Sequence, residues 1–204
     1  MLGYHCNLAT HILQGGSIMT MLSLSKVDLE VIESAKEEHV LVDIDGHKLD
    51  PQGVILVSCA DGHQFPEIFK YKTKIFEDQG CVNPCIHTFS WNGGALRLWP
   101  HSPTNRKKRI KATYLVQEIR DAHSMKGLTT TALYTHAPCG SAKNAGMDLI
   151  SQFRAILGAK LFVKKNIVGL KVACFLHVDY GNNRKKTHFV QVGALPDWSK
   201  LRMP

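Results

Sequence analysis

Two strings in this chain end apolar runs on residues that bind metals. The first is Val54-Ile-Leu-Val-Ser-Cys59-Ala-Asp61-Gly-His63, and the second is Leu133-Tyr-Thr-His136-Ala-Pro-Cys139-Gly140. Together they offer two thiols and an imidazole, each where a buried strand is expected to break into a loop. Zinc takes thiolate and imidazole ligands at roughly 2.3 and 2.0–2.1 Å, and three protein ligands leave a fourth position for water or substrate. A histidine and a cysteine three apart, where a strand gives way to a helix, can both turn towards one ion. Cys59 would then approach from a neighbouring strand end. A helix amino terminus favours thiolate and so lowers the cost of ionising Cys139. Each string is weak evidence alone, because a lone His-x-x-Cys is a common coincidence.

The elements that must hold these residues follow from periodicity. Lys26 to His39 is predicted helical, with Val27, Val31, Ile32 and Ala35 at three-to-four spacing. Ser25 with Asp28 gives it a capping pattern. Val54 to Ser58 is a continuous apolar run, the mark of a strand covered on both faces. A helix over 66–76 starts at Pro66, and a strand over 86–90 breaks at Asn92-Gly-Gly94. Pro100 to Asn105 reads as a polar loop, and Arg109 to Met125 as an amphipathic helix with Ile110, Tyr114, Leu115 and Ile119 on its apolar face. Strands are predicted over 128–134 and 170–178, a helix over 141–157, and an edge strand over 188–192 after the Gly181-Asn-Asn turn. Asp45-Gly46 and Pro51-Gln-Gly53 are turn signals.

Strands alternating with helices predict an α/β fold: a single domain over 25–204 with a mostly parallel central sheet of about four strands plus an edge strand, and helices on both faces. Residues 1–24 form an N-terminal extension, expected to be a loose segment or to lie upstream of the true start. Ligands of such sheets gather at the carboxyl ends of the strands, where Cys59, Asp61, Asn92, His136 and Cys139 all fall.

In this order the motifs resemble those of the β-class carbonic anhydrases. That family carries Cys-x-Asp-x-Arg after its first strand and His-x-x-Cys-Gly after its third, and this chain reads Cys59-Ala-Asp61-Gly-His63 and His136-Ala-Pro-Cys139-Gly140. Ser90-Trp-Asn-Gly-Gly-Ala95 stands where the family has an Arg-Asn-Ala-Gly-Asn loop. Gln64-Phe-Pro-Glu-Ile-Phe69 resembles its helix start, and Phe175 to Gly181 its late strand and Tyr-containing turn. The resemblance spans about residues 54–192. It implies zinc held by Cys59, His136 and Cys139, with water in the fourth position or Asp61 as fourth ligand in a closed resting form. The implied function is reversible hydration of carbon dioxide to bicarbonate by zinc-bound hydroxide. Asp61, with its partner at position 63, would be catalytic. Family members are dimers or dimer-built oligomers, which implies a homodimer packed partly through the helix at 26–39.

Position 63 departs from the family pattern: histidine stands in place of arginine. Arginine is a permanently charged fork for a carboxylate, whereas histidine, with an ordinary pKa of about 6.5, is mostly neutral at pH 7. Either protonated His63 holds Asp61 off the metal, or Asp61 closes the zinc shell and activity falls. Trp91 and Gly94 also stand where the family has arginine and asparagine. The function classes that remain are a carbonic-anhydrase-like lyase, a related enzyme acting on a small substrate such as carbonyl sulfide, and a zinc-binding relative with a binding or regulatory role.

Composition narrows the rest. The chain has 204 residues, 44% of them hydrophobic, enough for one core. No apolar run approaches the roughly 20 residues that span a bilayer, and no secretory signal is evident. Six scattered cysteines fit a reducing, cytoplasmic setting better than a disulfide framework. The net charge of +8 gathers in Arg106-Lys-Lys-Arg109-Ile-Lys111 and Arg184-Lys-Lys186. Neither cluster interleaves aromatics, so both are read as solvated surface, and nucleic acid is not an expected partner. Cys81, Cys85 and His87 lack standard zinc spacing and are expected to be unpaired. Cys174 is expected in the core, and Cys6 lies in the extension. Asn92-Gly93-Gly94 lacks the lysine of a phosphate loop, and no serine elbow is present. His136 and Cys139 are better spaced to share a metal than to form a nucleophile and base.

Overall fold

The computed structural model describes residues 22–43, 53–106 and 111–195. The first helix, α1 (Lys26–Glu37), opens with the expected capping box: the Ser25 hydroxyl accepts the Asp28 N–H at 3.0 Å, and the Asp28 carboxylate accepts the Ser25 N–H at 2.9 Å. It buries Val31, Ile32 and Ala35, but Val27 is 64% exposed. A two-residue strand, β1 (Leu41–Val42), follows. Then come β2 (Gly53–Ser58), α2 (Phe65–Asp78) and β3 (Cys85–Ser90). Two short 3-10 turns, Gly94–Leu98 and Pro103–Asn105, lie in the stretch between β3 and the next helix, α3 (Ala112–Lys126). The last elements are β4 (Thr130–Ala137), α4 (Gly140–Asn144), α5 (Leu149–Asn166), β5 (Lys171–Asp179) and β6 (Lys185–Val190).

The six strands form one mixed sheet in the order β1-β6-β5-β4-β2-β3. Strands β3, β2, β4 and β5 are parallel, and β6 runs antiparallel to β5, as expected of an α/β sheet with one added strand. The end of that row is β1 rather than β6. All six residues of β2 and all eight of β4 are buried; β2 carries the continuous apolar run Val54 to Val57, whereas β4 also buries Thr130, Thr131, Thr135 and His136. On one face α1, α3 and α5 pack Ile32, Ile119 and Phe153 against Ile55, Leu133 and Leu176. On the other, α2 packs Ile68 and Phe76 against Leu56, Tyr134 and Phe175. Helices therefore cover both faces.

The edge strand expected over 188–192 is β6 at Lys185–Val190, with β1 beyond it, and three further expectations need revision. The helix expected over 141–157 is two helices. Gly146 adopts φ 69° after α4, and the Asp148 carboxylate accepts the Ser151 N–H at 2.7 Å to start α5. The strand expected to end at Tyr134 runs on to Ala137. On α3, Tyr114 is exposed and the buried face is Leu115, Val116, Ile119 and Ala122. Residues 1–21, the turn at Asp45-Gly46, Pro51-Gln52 and Ile110 lie outside the described residues. Among those described, no helix is long and apolar enough to cross a membrane.

Candidate metal centre

The parallel pairing of β2 with β4 carries Cys59, the residue after β2, alongside the end of β4. His136 is the penultimate residue of β4, and Cys139 immediately precedes α4. One ligand atom from each lies within 4.8 Å of the others, and all three residues are buried. Among the described residues this is the one group of at least three His, Cys, Asp or Glu side chains so placed. The cysteines at 59 and 139 are free thiols.

Electrostatics separate the two thiols. A hydrogen bond with Cys139 is the largest influence holding the Cys59 thiol well below the usual range. His136 and the Gly93 N–H act in the same direction, against the penalty of burial. The same contact with Cys59, with burial, pushes Cys139 up. Cys59 is therefore the sulfur that ionises first. The Gly93 N–H donates to its Sγ at 3.4 Å.

That contact depends on the loop after β3. Trp91 N–H donates to Ser58 O and Ala60 N–H to Trp91 O, binding the loop to the start of the Cys59 segment. Gly94, at φ 46°, lies so close that a Cβ there would stand 2.4 Å from the Cys59 nitrogen. No side chain fits at position 94. Trp91 packs against the main core and donates its indole N–H to Gly94 O at 2.7 Å.

Both ring nitrogens of His136 are buried without a hydrogen-bond partner. Buried polar atoms are almost always satisfied, so an unsatisfied one calls for an explanation. A cation held by His136 and two thiols of which one readily ionises supplies it, and the soft donor set suits zinc. Next to His136 in register on β5 is His177, whose Nδ1 lies 2.8 Å from the Thr187 hydroxyl. Burial lowers the His177 pKa to about 4, so it is neutral at physiological pH, and its Nε2 is also buried without a partner.

A pocket of about 600 Å³ opens beside the cluster, lined by Cys59, Asp61, Asn92, Arg106, Ser141 and Asn144 among others. Asp61 thus reaches the same cavity as Cys59. His63 does not line it: its side chain is exposed, and the Asp61 carboxylate accepts the His63 backbone N–H at 2.9 Å. The imidazole of His63 makes no ion pair with Asp61. Cys174 is fully buried in the core and its thiol is pushed up to about 12. Cys81 is partly buried and Cys85 exposed, and neither joins a metal-binding group.

Sequence reasoning brought together Cys59, Asp61, His136 and Cys139, and missed Arg106, Asn144 and His177. In the sequence Arg106 belongs to a basic run that reads as solvated surface, and nothing local sets it apart. The alternation along β5 was the available signal for His177, which shares a register row with His136.

No family model matches the chain, and no curated protein matches it. Among solved structures, a crystal structure of carbonic anhydrase from Streptococcus mutans matches with a TM-score of 0.37 and 14% identity, over 81% of this chain and 99% of that one. At that distance the class rests on what the chain itself shows: an α/β sheet with a candidate metal-binding Cys-His-Cys cluster at the carboxyl ends of its parallel strands.

Proposed function

We propose that the chain is a zinc-dependent, carbonic-anhydrase-like enzyme that catalyses reversible hydration of carbon dioxide to bicarbonate. The observation that carries the reading is the convergence of Cys59, His136 and Cys139 donors within 4.8 Å, beside a pocket that Asp61 also lines. The ordered motifs around those residues support it. A zinc ion there would supply Lewis acidity and lower the pKa of bound water to about 7.

The chain's own residues do the rest. Cys59 provides the first thiolate, steadied by the Gly93 N–H. Asp61 is oriented by the His63 backbone, with a carboxylate oxygen available to accept a hydrogen bond from water in the pocket. Its alternative role is fourth ligand in a closed form. His63 acts in this scheme through its main chain, with its ring at the solvent side.

One observation favours a second reading, a zinc-binding relative without hydration activity. No cationic side chain pairs with Asp61 among the described residues, so its carboxylate is free to close the metal shell. Action on carbonyl sulfide is a variant of the first reading.

A stopped-flow hydration assay across pH 6–9, with saturating zinc and a His63→Arg variant beside the wild type, separates these. Activity in the wild type supports the enzyme. Activity only in the variant supports the relative that lost it. No activity in either protein overturns the hydratase. We further propose a cytoplasmic homodimer packed partly through α1, whose Val27 and Leu29 are exposed apolar side chains in the single chain.

A further inference from the structure

The pocket beside the cluster is polar and large for a three-atom substrate. Its roughly 600 Å³ corresponds to some twenty waters at about 30 Å³ each. Besides Cys59 and Asp61 it is lined by Asn92, Thr104, Ser141 and Asn144, all hydrogen-bonding side chains, and by one cation, Arg106. Among the described residues the Arg106 guanidinium has no carboxylate partner. The Asp61 carboxylate in the same pocket already accepts the His63 N–H.

Arg106 stands on a braced wall. Its backbone N–H donates to Pro103 O at 3.2 Å, closing the second 3-10 turn. The preceding Asn105 donates to Arg97 O at 3.0 Å and to Trp99 O at 2.9 Å, and accepts from Arg97 Nε at 3.3 Å. Arg97 in turn packs against Gly93, where a Cβ would lie 3.3 Å from its Cγ and 3.0 Å from the Ser141 hydroxyl. Gly93 is the donor to Cys59 Sγ. One continuous set of contacts therefore fixes the backbone that carries Arg106 relative to the sulfur.

We propose that this pocket takes a small organic carboxylate, held by the fork of Arg106 beside the Cys59–His136–Cys139 cluster. A guanidinium binds a carboxylate through two parallel N–H···O bonds, and the amides and hydroxyls around it suit the remainder of such a molecule. A braced base limits the ordering cost of binding. The proposal rests on the metal-centre reading for what lies beside the carboxylate, and on Arg106 alone for the carboxylate itself.

Iodoacetate and iodoacetamide test it in the 204-residue chain. They are similar in size and differ in charge, and each alkylates a thiolate by forming a C–S bond as iodide leaves. Rates at Cys59 are read by peptide mass spectrometry. Arg106→Gln is expected to slow iodoacetate about tenfold, with iodoacetamide unchanged. Arg106→Lys should fall between, because it keeps the charge and loses the fork. Equal slowing of both reagents, or none with iodoacetate, overturns the proposal. Should bound metal shield Cys59 from both reagents, saturation-transfer NMR with succinate gives the same decision. Binding weakened about tenfold in Arg106→Gln supports it, and binding that is absent or unaffected overturns it. Zinc content is measured on the same samples. A chain that takes up no zinc when zinc is supplied, yet still binds succinate through Arg106, removes the hydratase reading and leaves the carboxylate site standing.

Discussion

Cys59 and Cys139 are buried thiols in mutual contact whose acidities move in opposite directions, because one donates the hydrogen bond that stabilises the other's thiolate. A cation that replaced the shared proton could be held by both sulfurs and His136. Cys59→Ser is therefore expected to bring zinc from one ion per chain to a small fraction of that, by metal analysis of the purified protein, while circular dichroism stays that of the wild type. Lys72, on the opposite side of α2 from solvent, poses a different problem. It is fully buried, its Nζ has no hydrogen-bond partner, and burial lowers its pKa to about 7. The rings of Phe175 and Tyr134, with centroids 4.1 and 5.5 Å away, give a partial compensation that favours the charged form. The unfolded chain holds this proton up to the ordinary lysine pKa of 10.5, so between about 7 and 10.5 it binds more protons than the folded chain. Lys72 thus weakens the fold below pH 7, and the deficit is relieved as pH rises through that window. Lys72→Met is expected to stabilise the protein by about 1–3 kcal/mol at pH 7, with the difference from wild type shrinking towards pH 10 in urea melts. A gain that does not vary with pH would contradict this account.

At the scale of the elements, the site depends on how tightly two loops approach the end of β2. Gly94 has no space for a methyl group and a positive φ besides. Gly94→Ala is expected to destabilise the fold by about 1–3 kcal/mol and to lower zinc occupancy with it, because the strain falls on the Cys59 backbone. Chemical denaturation followed by metal analysis reads both. Asp148 tests the break between α4 and α5. Its carboxylate caps α5, so Asp148→Ala should cost about 1 kcal/mol, with zinc stoichiometry unchanged. The cap and Gly146 together explain why the apolar periodicity over 141–157 was misleading. A helical spacing of side chains persists across a turn when both helices face the same core, and Ala142 of α4 and Ala155 of α5 are buried in one cluster.

At the scale of the molecule, a dimer through α1 predicts a sedimentation mass twice that of one chain, and a shift to monomer on Val27→Glu with Leu29→Glu. A wild-type monomer at high concentration would remove that part of the proposal. The sheet was legible in outline because a fully buried parallel strand leaves a continuous apolar run, as β2 does, and the threonine-rich β4 still has Ala132, Leu133 and Tyr134 at its centre. Strand β1 left no such mark, since two residues carry no periodicity and their place is set by pairing with Phe189 and Val190. The site was legible where its residues sit at strand ends within named motifs. It was not legible for Arg106, whose approach to the pocket depends on Asn105 and Arg97 holding a turn in place.

The sequence by itself determined the kind of chemistry on offer. Two thiols and an imidazole at strand ends are fixed by residue type and local pattern, and parallel strands carry those ends to one side. Only the tertiary structure decided which neighbours share the cavity. Asp61 and Arg106 line it, while His63 turns its ring to solvent and reaches Asp61 through its backbone. That choice depends on the close packing of loops from four separate stretches of chain, and no local spacing encodes the distance between them.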